Sequence, residues 1–184
     1  DVLGLGDSLA AWLGADRRKE TLGGRLAKGL GAELDRPVRL RTAAIVGSES
    51  SDLPAQLDAV GEDHPCDVAV ILVGGNDVTH RIPIAVSVAH LQGAIARLRA
   101  RGAAVVVGTC PDLGALRAVP QPLRSLAAQS SRRLAAAQRA VALRSGALPV
   151  DLARAVGPRF RSDPEAMFSV DRFHLSALGY LLTA

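Results

Sequence analysis

Five short apolar runs punctuate the chain, separated by longer stretches with helical spacing. The runs at 1–6, 38–46, 68–73, 103–109 and 147–150 predict strands. The stretches 8–31, 52–61, 84–101, 122–145 and 176–184 predict helices. Two runs, "VAVILV" at 68–73 and "AAVVVGT" at 103–109, are apolar throughout rather than alternating. A strand reads this way when both faces are buried, as in a parallel sheet covered by helices. Alternation of strand and helix over 184 residues predicts one domain, 1–184, of α/β class with a doubly wound sheet. There is no internal repeat or low-complexity linker, and "VPQPL" at 119–123 reads as a loop leading into a helix. In such a sheet ligands bind beyond the carboxyl ends of the strands, so the loops after the strands are read together.

Composition narrows the picture. Apolar residues make up 48% of the chain but aromatics only 3%, so the core is built from Ala, Val and Leu. The longest apolar run, Val68–Val73, is strand-sized, far below the roughly 18 residues of a membrane span. No signal peptide is visible, and the chain opens directly on a strand-like run. We therefore expect the natural protein to extend upstream, and leave open both its location and whether such a segment exports or anchors it.

The formal net charge is +4, unevenly spread: residues 113–150 hold six arginines and no acid. On a helix, Arg124, Arg132 and Arg139 fall opposite Leu126, Leu134 and Val141, which reads as the solvated face of an amphipathic helix. The sharper alternative is peripheral contact with an anionic membrane surface or an acidic substrate. Nucleic acid is not expected, because no aromatic interleaving or binding motif accompanies the arginines. Cys66 precedes one predicted strand and Cys110 follows another. In a parallel sheet they lie about one strand length apart, roughly 20 Å, against the about 7 Å a disulfide tolerates between Cα atoms. Both are expected to be free thiols. No CxxC or close His/Cys cluster occurs, so no zinc site is expected.

The loops carry the candidate chemistry. Gly6-Asp7-Ser8 follows the first strand, Gly47-Ser48-Glu49-Ser50 the second, and Gly74-Gly75-Asn76-Asp77 the third. Near the end stands "VDRFHLSALGY", with Asp171 and His174 three residues apart. Singly, each has an ordinary reading: Ser8 or Asp7 as a helix cap, Gly47 as a turn glycine, Asn76-Asp77 as a turn, Asp171 and His174 as a local pair. Together they have a chemical purpose. A serine hydroxyl needs a base to take its proton; a histidine can be that base, and a carboxylate can hold its tautomer. The i, i+3 spacing puts Asp171 and His174 on one face of a helical turn. Acyl transfer also needs donors aimed at the developing oxyanion, which a serine N–H, a glycine N–H and an asparagine amide would supply.

From "GLGDSLAAWLG" through "AAIVGSES" and "ILVGGNDV" to "VDRFHLSALGY", the chain resembles the SGNH hydrolases, also called the GDSL-type lipase/esterase family. The resemblance implies a flavodoxin-like three-layer α/β/α sandwich with a five-stranded parallel sheet in the order 2-1-3-4-5. It implies hydrolysis of esters or thioesters without metal or cofactor. It assigns Ser8 as nucleophile, His174 as general base, Asp171 as its orienter, and Ser8, Gly47 and Asn76 as the oxyanion hole. Two departures stand out: Thr42 lies near the place where the second block often has asparagine, and Leu175 follows the histidine where proline is common. Asp7 is expected to orient the turn around Ser8.

The expected substrate is a small-molecule or lipid ester with a short acyl chain, because the chain is short and has no obvious large lid. Thioesters and acetylated sugars suit the same chemistry, although the few aromatics disfavour a long carbohydrate groove. Trp12, one helical turn after Ser8, reads first as a core residue, but it and Phe173 could line the acyl site. The loop 110–122 could wall the cleft, with Leu113, Leu116 and Arg117 touching substrate. The rival of another class is a nucleotide-binding or other non-catalytic ligand module. "GLGDSL" starts like a phosphate loop, but Leu9 stands where G-x-G-x-x-G needs its third glycine, and no acid stands at the end of the second strand to hold a ribose. G-x-S-x-G, the mark of an α/β-hydrolase elbow, is absent.

Overall fold

The computed structural model describes residues 1–11, 21–116, 118–167 and 176. Along them run β1 (Val2–Gly6), α1 (Leu22–Leu34), β2 (Leu40–Thr42), α2 (Leu53–Val60), β3 (Val68–Leu72), α3 (Gly75–Thr79) and α4 (Ile84–Ala100). There follow β4 (Ala104–Gly108), α5 (Leu123–Arg144), β5 (Leu148–Val150), α6 (Leu152–Ala155), α7 (Gly157–Ser162) and α8 (Pro164–Met167). Single 3-10 turns stand at Ser50–Asp52 and Leu113–Ala115. The strands pair in parallel throughout, in the order β2-β1-β3-β4-β5.

Side chains two apart on a strand share a face, and the core divides accordingly. Leu3, Leu5, Ala69, Ile71, Val105 and Val107 join Leu53 and Leu57 of α2, Leu91, Ile95 and Leu98 of α4, and Val141 of α5. On the other face Val2, Val70 and Leu72 meet Leu152 and Val156, with Leu26 and Leu30 of α1 packed against them. Two helical layers thus enclose the sheet, which is why β1 and β3 carry no polar alternation. The edge strands β2 and β5 are partly open. In the register Gly6 lies beside Leu72 and Leu72 beside Gly108, so the three central strands end level. The loops beyond them meet on one rim.

Several expectations are corrected. The helix expected over 8–31 is not continuous. Ser8 to Ala11 form a hydrogen-bonded turn in which the N–H groups of Ala10 and Ala11 both donate to the Asp7 carbonyl. Helix α1 starts at Leu22, where the Thr21 hydroxyl accepts the Gly24 N–H at 3.1 Å as an N-cap. The second strand is three residues long rather than 38–46, although ladder bonds continue from Ala43 to Gly4 and from Ile45 to Gly6. Helices α3, α6, α7 and α8 were not expected; at four to six residues they are too short to show a period. Leu126 does not share the buried stripe of Leu134 and Val141: it is 57% exposed against 2% and 1%. The stripe runs through Ala128, Ser131, Leu134, Gln138 and Val141, and Leu126 lies off it. Cys66 and Cys110 are free, before β3 and after β4. The expected helix 176–184 lies outside the described residues except for Ser176. Among the described residues no helix is long and apolar enough to cross a membrane.

Candidate active site

The turn after β1 is built by close approach. Gly6 has φ +124°, and a Cβ there would stand 1.8 Å from the Leu72 carbonyl oxygen, so only glycine fits. The next residue, Asp7, donates its N–H to that carbonyl at 2.9 Å. Its buried carboxylate turns back to accept the Leu9 N–H at 3.0 Å. Asp7 thereby shapes the turn that leaves Ser8 half-buried at the sheet's edge. Thr42, at the departure noted in the second block, donates its hydroxyl to the carbonyls of Gly4 and Ala10, tying the β2 edge to this turn.

The loops after β2 and β3 are bound to each other. Asn76 Nδ2 donates to the Ser48 carbonyl at 2.9 Å, which uses one of its two N–H groups. The neighbouring Asp77 is 1% exposed, and its carboxylate accepts the Ser50 N–H at 3.1 and 3.3 Å. At the rim His80 Nδ1 lies 2.6 Å from Glu49 Oε1. Gly47 sits exposed in the same loop at φ +85°, with open space where a side chain would be.

Two buried glutamines complete the scaffold, and the sequence reading passed over both. Gln56 of α2 holds the Gly6 peptide groups and the Ser48 hydroxyl. Gln138 of α5 accepts the Cys110 N–H at 2.7 Å and donates to the Val73 carbonyl at 2.9 Å, joining the β3 and β4 loops. The available signal was a polar residue inside each helix's apolar stripe. Ser131 behaves alike, accepting the Leu113 N–H at 3.3 Å.

A cavity of about 110 Å³ opens at these strand ends. Ser8 and Asn76 line it together with Leu72, Leu113, Leu116 and Val156. Leu113 and Leu116 are buried there, 6% and 5% exposed, as walls of the loop after β4. Gly47 does not line this cavity. It borders a second hollow with Ser48 and Thr42, and its loop joins the cavity wall through the Ser48–Asn76 bond. Burial pushes the Cys110 thiol far up, and the carboxylates of Asp7, Asp77 and Asp112 add to the effect. It stays protonated and offers no rival nucleophile. Asp171, His174, Trp12, Arg117 and Phe173 lie outside the described residues. No group of three or more metal-ligating side chains is found among the described residues.

A parallel 2-1-3-4-5 sheet between two helical layers, with its polar groups gathered beyond the central strands, defines a flavodoxin-like α/β/α domain. Residues 5–182 match the model of the GDSL-like lipase/acylhydrolase family, and the chain belongs to that family. It is 47% identical over 182 residues to a GDSL-like esterase of Mycobacterium tuberculosis, Rv1075c. That match covers 97% of this chain but 57% of the relative, so the chain spans little more than half of that protein's length. Among solved structures, the psychrotrophic esterase EstA from Pseudoalteromonas sp. superposes with a TM-score of 0.73 at 19% identity, covering 99% of this chain and 91% of the other. The acetylxylan esterase Axe2 from Geobacillus stearothermophilus gives 0.73 at 18%, covering 98% and 89%. At those identities the likeness is one of fold.

Proposed function

We propose that the chain is a serine esterase that hydrolyses carboxylic esters with short acyl groups. The observation that carries the reading is the meeting of Ser8 and Asn76 on one apolar cavity, with Asn76 bonded to the loop of Gly47. Family membership and the GDSL-like esterase relative support the same chemistry. Ser8 attacks the acyl carbonyl while His174 takes its proton and Asp171 holds the imidazole. The oxyanion is received by the N–H groups of Ser8 and Gly47 and the second N–H of Asn76. His174 then protonates the leaving alcohol and later activates water to release the acid.

The acyl group lies in the cavity against Leu113 and Leu116. About 110 Å³ of space favours acyl chains of a few carbons. Trp12, Arg117 and Phe173 are proposed to border the substrate. The pH dependence follows from the base: activity falls at acid pH as the imidazole takes up a proton and can no longer accept one from Ser8. The test is hydrolysis of a p-nitrophenyl ester series by wild type, Ser8→Ala and His174→Ala. Either substitution is expected to remove nearly all of kcat with the fold intact by circular dichroism. A folded Ser8→Ala protein with wild-type kcat would end the proposal.

A further inference from the structure

We infer that Gln56 is a positioning residue that holds the nucleophile turn and the Gly47 loop in a single register. This rests on the roles given above to Ser8 and Gly47. Helix α2 presents Leu53, Gln56, Leu57 and Val60 to the core, and the one carboxamide in that stripe is 2% exposed. A polar group so placed is tolerated only when its hydrogen bonds are made. All three are made to the active-site loops. Gln56 Oε1 accepts the Gly6 N–H at 2.8 Å, and Nε2 donates to the Gly6 carbonyl at 2.8 Å and to the Ser48 hydroxyl at 3.1 Å.

The need arises where the sheet stops. Ladder bonds on this side of β1 run from the Ala43 N–H to the Gly4 carbonyl and from the Ile45 N–H to the Gly6 carbonyl. Beyond Ile45 the chain leaves for the Gly47 turn, and the Gly6 N–H goes to a side chain instead of to the β2 backbone. Gly6 is two residues ahead of Ser8, and Ser48 adjoins Gly47. One carboxamide therefore sets the spacing between a nucleophile and an oxyanion donor carried on different strands. Misplacement by about 1 Å at such a site can cost on the order of 10²-fold in rate.

The chemistry of the carboxamide gives the inference a signature that a merely structural role lacks. In Q56E the introduced carboxyl still accepts the Gly6 N–H, but donates to the Gly6 carbonyl only while protonated. Burial raises its pKa, so it ionises within the working range. The pH–rate profile of Q56E then acquires an alkaline limb that wild type lacks. Q56M, similar in shape but without hydrogen bonds, is expected to lower kcat for p-nitrophenyl acetate by roughly 10–100-fold, with KM little changed. Its second-order rate with a fluorophosphonate should fall by the same factor. Ser48→Ala, which removes one bond of three, should lose less than Q56M.

The experiment measures kcat, KM, phosphonylation rate and pH profile for Q56M, Q56E, Ser48→Ala and Ser8→Ala. Folded Q56M with wild-type kcat and labelling rate would overturn the inference. If Q56M does not fold, a Q56E profile identical in shape to wild type would overturn it, and the alkaline limb would uphold it. An inactive Ser8→Ala beside unaffected Gln56 variants removes only this inference. An active Ser8→Ala removes the underlying reading as well.

Discussion

We propose two tasks for the Asn76 side chain. It bonds the Ser48 carbonyl, and on our reading it also donates to the oxyanion. Asn76→Ala is therefore expected to lose about 10²–10³-fold in kcat, the range for a removed oxyanion donor, which steady-state hydrolysis will read. Near-normal kcat would take Asn76 out of the mechanism. Glycine at position 6 answers to sterics. Alanine would press its Cβ into the Leu72 carbonyl at a φ of +124°. We expect Gly6→Ala to lose about 3 kcal/mol or more by urea denaturation, as strain and clash add. Cys110 is silent because burial holds its thiol protonated. Iodoacetamide at pH 8 should modify it only after unfolding; rapid labelling in the native state would contradict that environment.

At the scale of elements, α5 corrects the sequence reading and offers a paired test. Leu134 is 2% exposed in the stripe facing the sheet, whereas Leu126 is 57% exposed. Leu134→Ala should cost about 2–5 kcal/mol, and Leu126→Ala no more than about 0.5, by the same denaturation measurement. The long helices α4 and α5 and the strands β3 and β4 were legible because their apolar patterns are long or unbroken. Elements of three to six residues, such as β2, α3 and α6, hold too few positions for a period, and tertiary bonds define them. Gln56 and Gln138 were visible as polar residues in apolar stripes, yet their partners are loop backbones that only the strand order brings within reach. That Ser8, Gly47 and Asn76 stand in loops beyond strands was readable from the alternation of elements, while the roles proposed for them rest on the family resemblance. The corresponding assignments to Asp171 and His174 rest on the family resemblance.

For the whole molecule, the level ends of β1, β3 and β4 put their loops on one rim, where Gln56 of α2 ties the β1 turn to the β2 loop, Asn76 ties the β2 loop to the β3 loop, and Gln138 of α5 ties the β3 loop to the β4 loop. These bonds hold the loops in a fixed arrangement, which the oxyanion role we propose for them requires. The cavity beside it predicts that p-nitrophenyl acetate and butyrate outrun the dodecanoate in kcat/KM; equal or rising values along that series would move the acyl group out of the cavity of Leu113 and Leu116. The central claim is that Ser8 is an activated nucleophile. The most direct measurement is intact mass after treatment of the folded protein with a fluorophosphonate, followed by peptide mapping. The account predicts a single adduct on Ser8, absent in Ser8→Ala. No adduct on the folded protein, or an adduct on another residue, would contradict it.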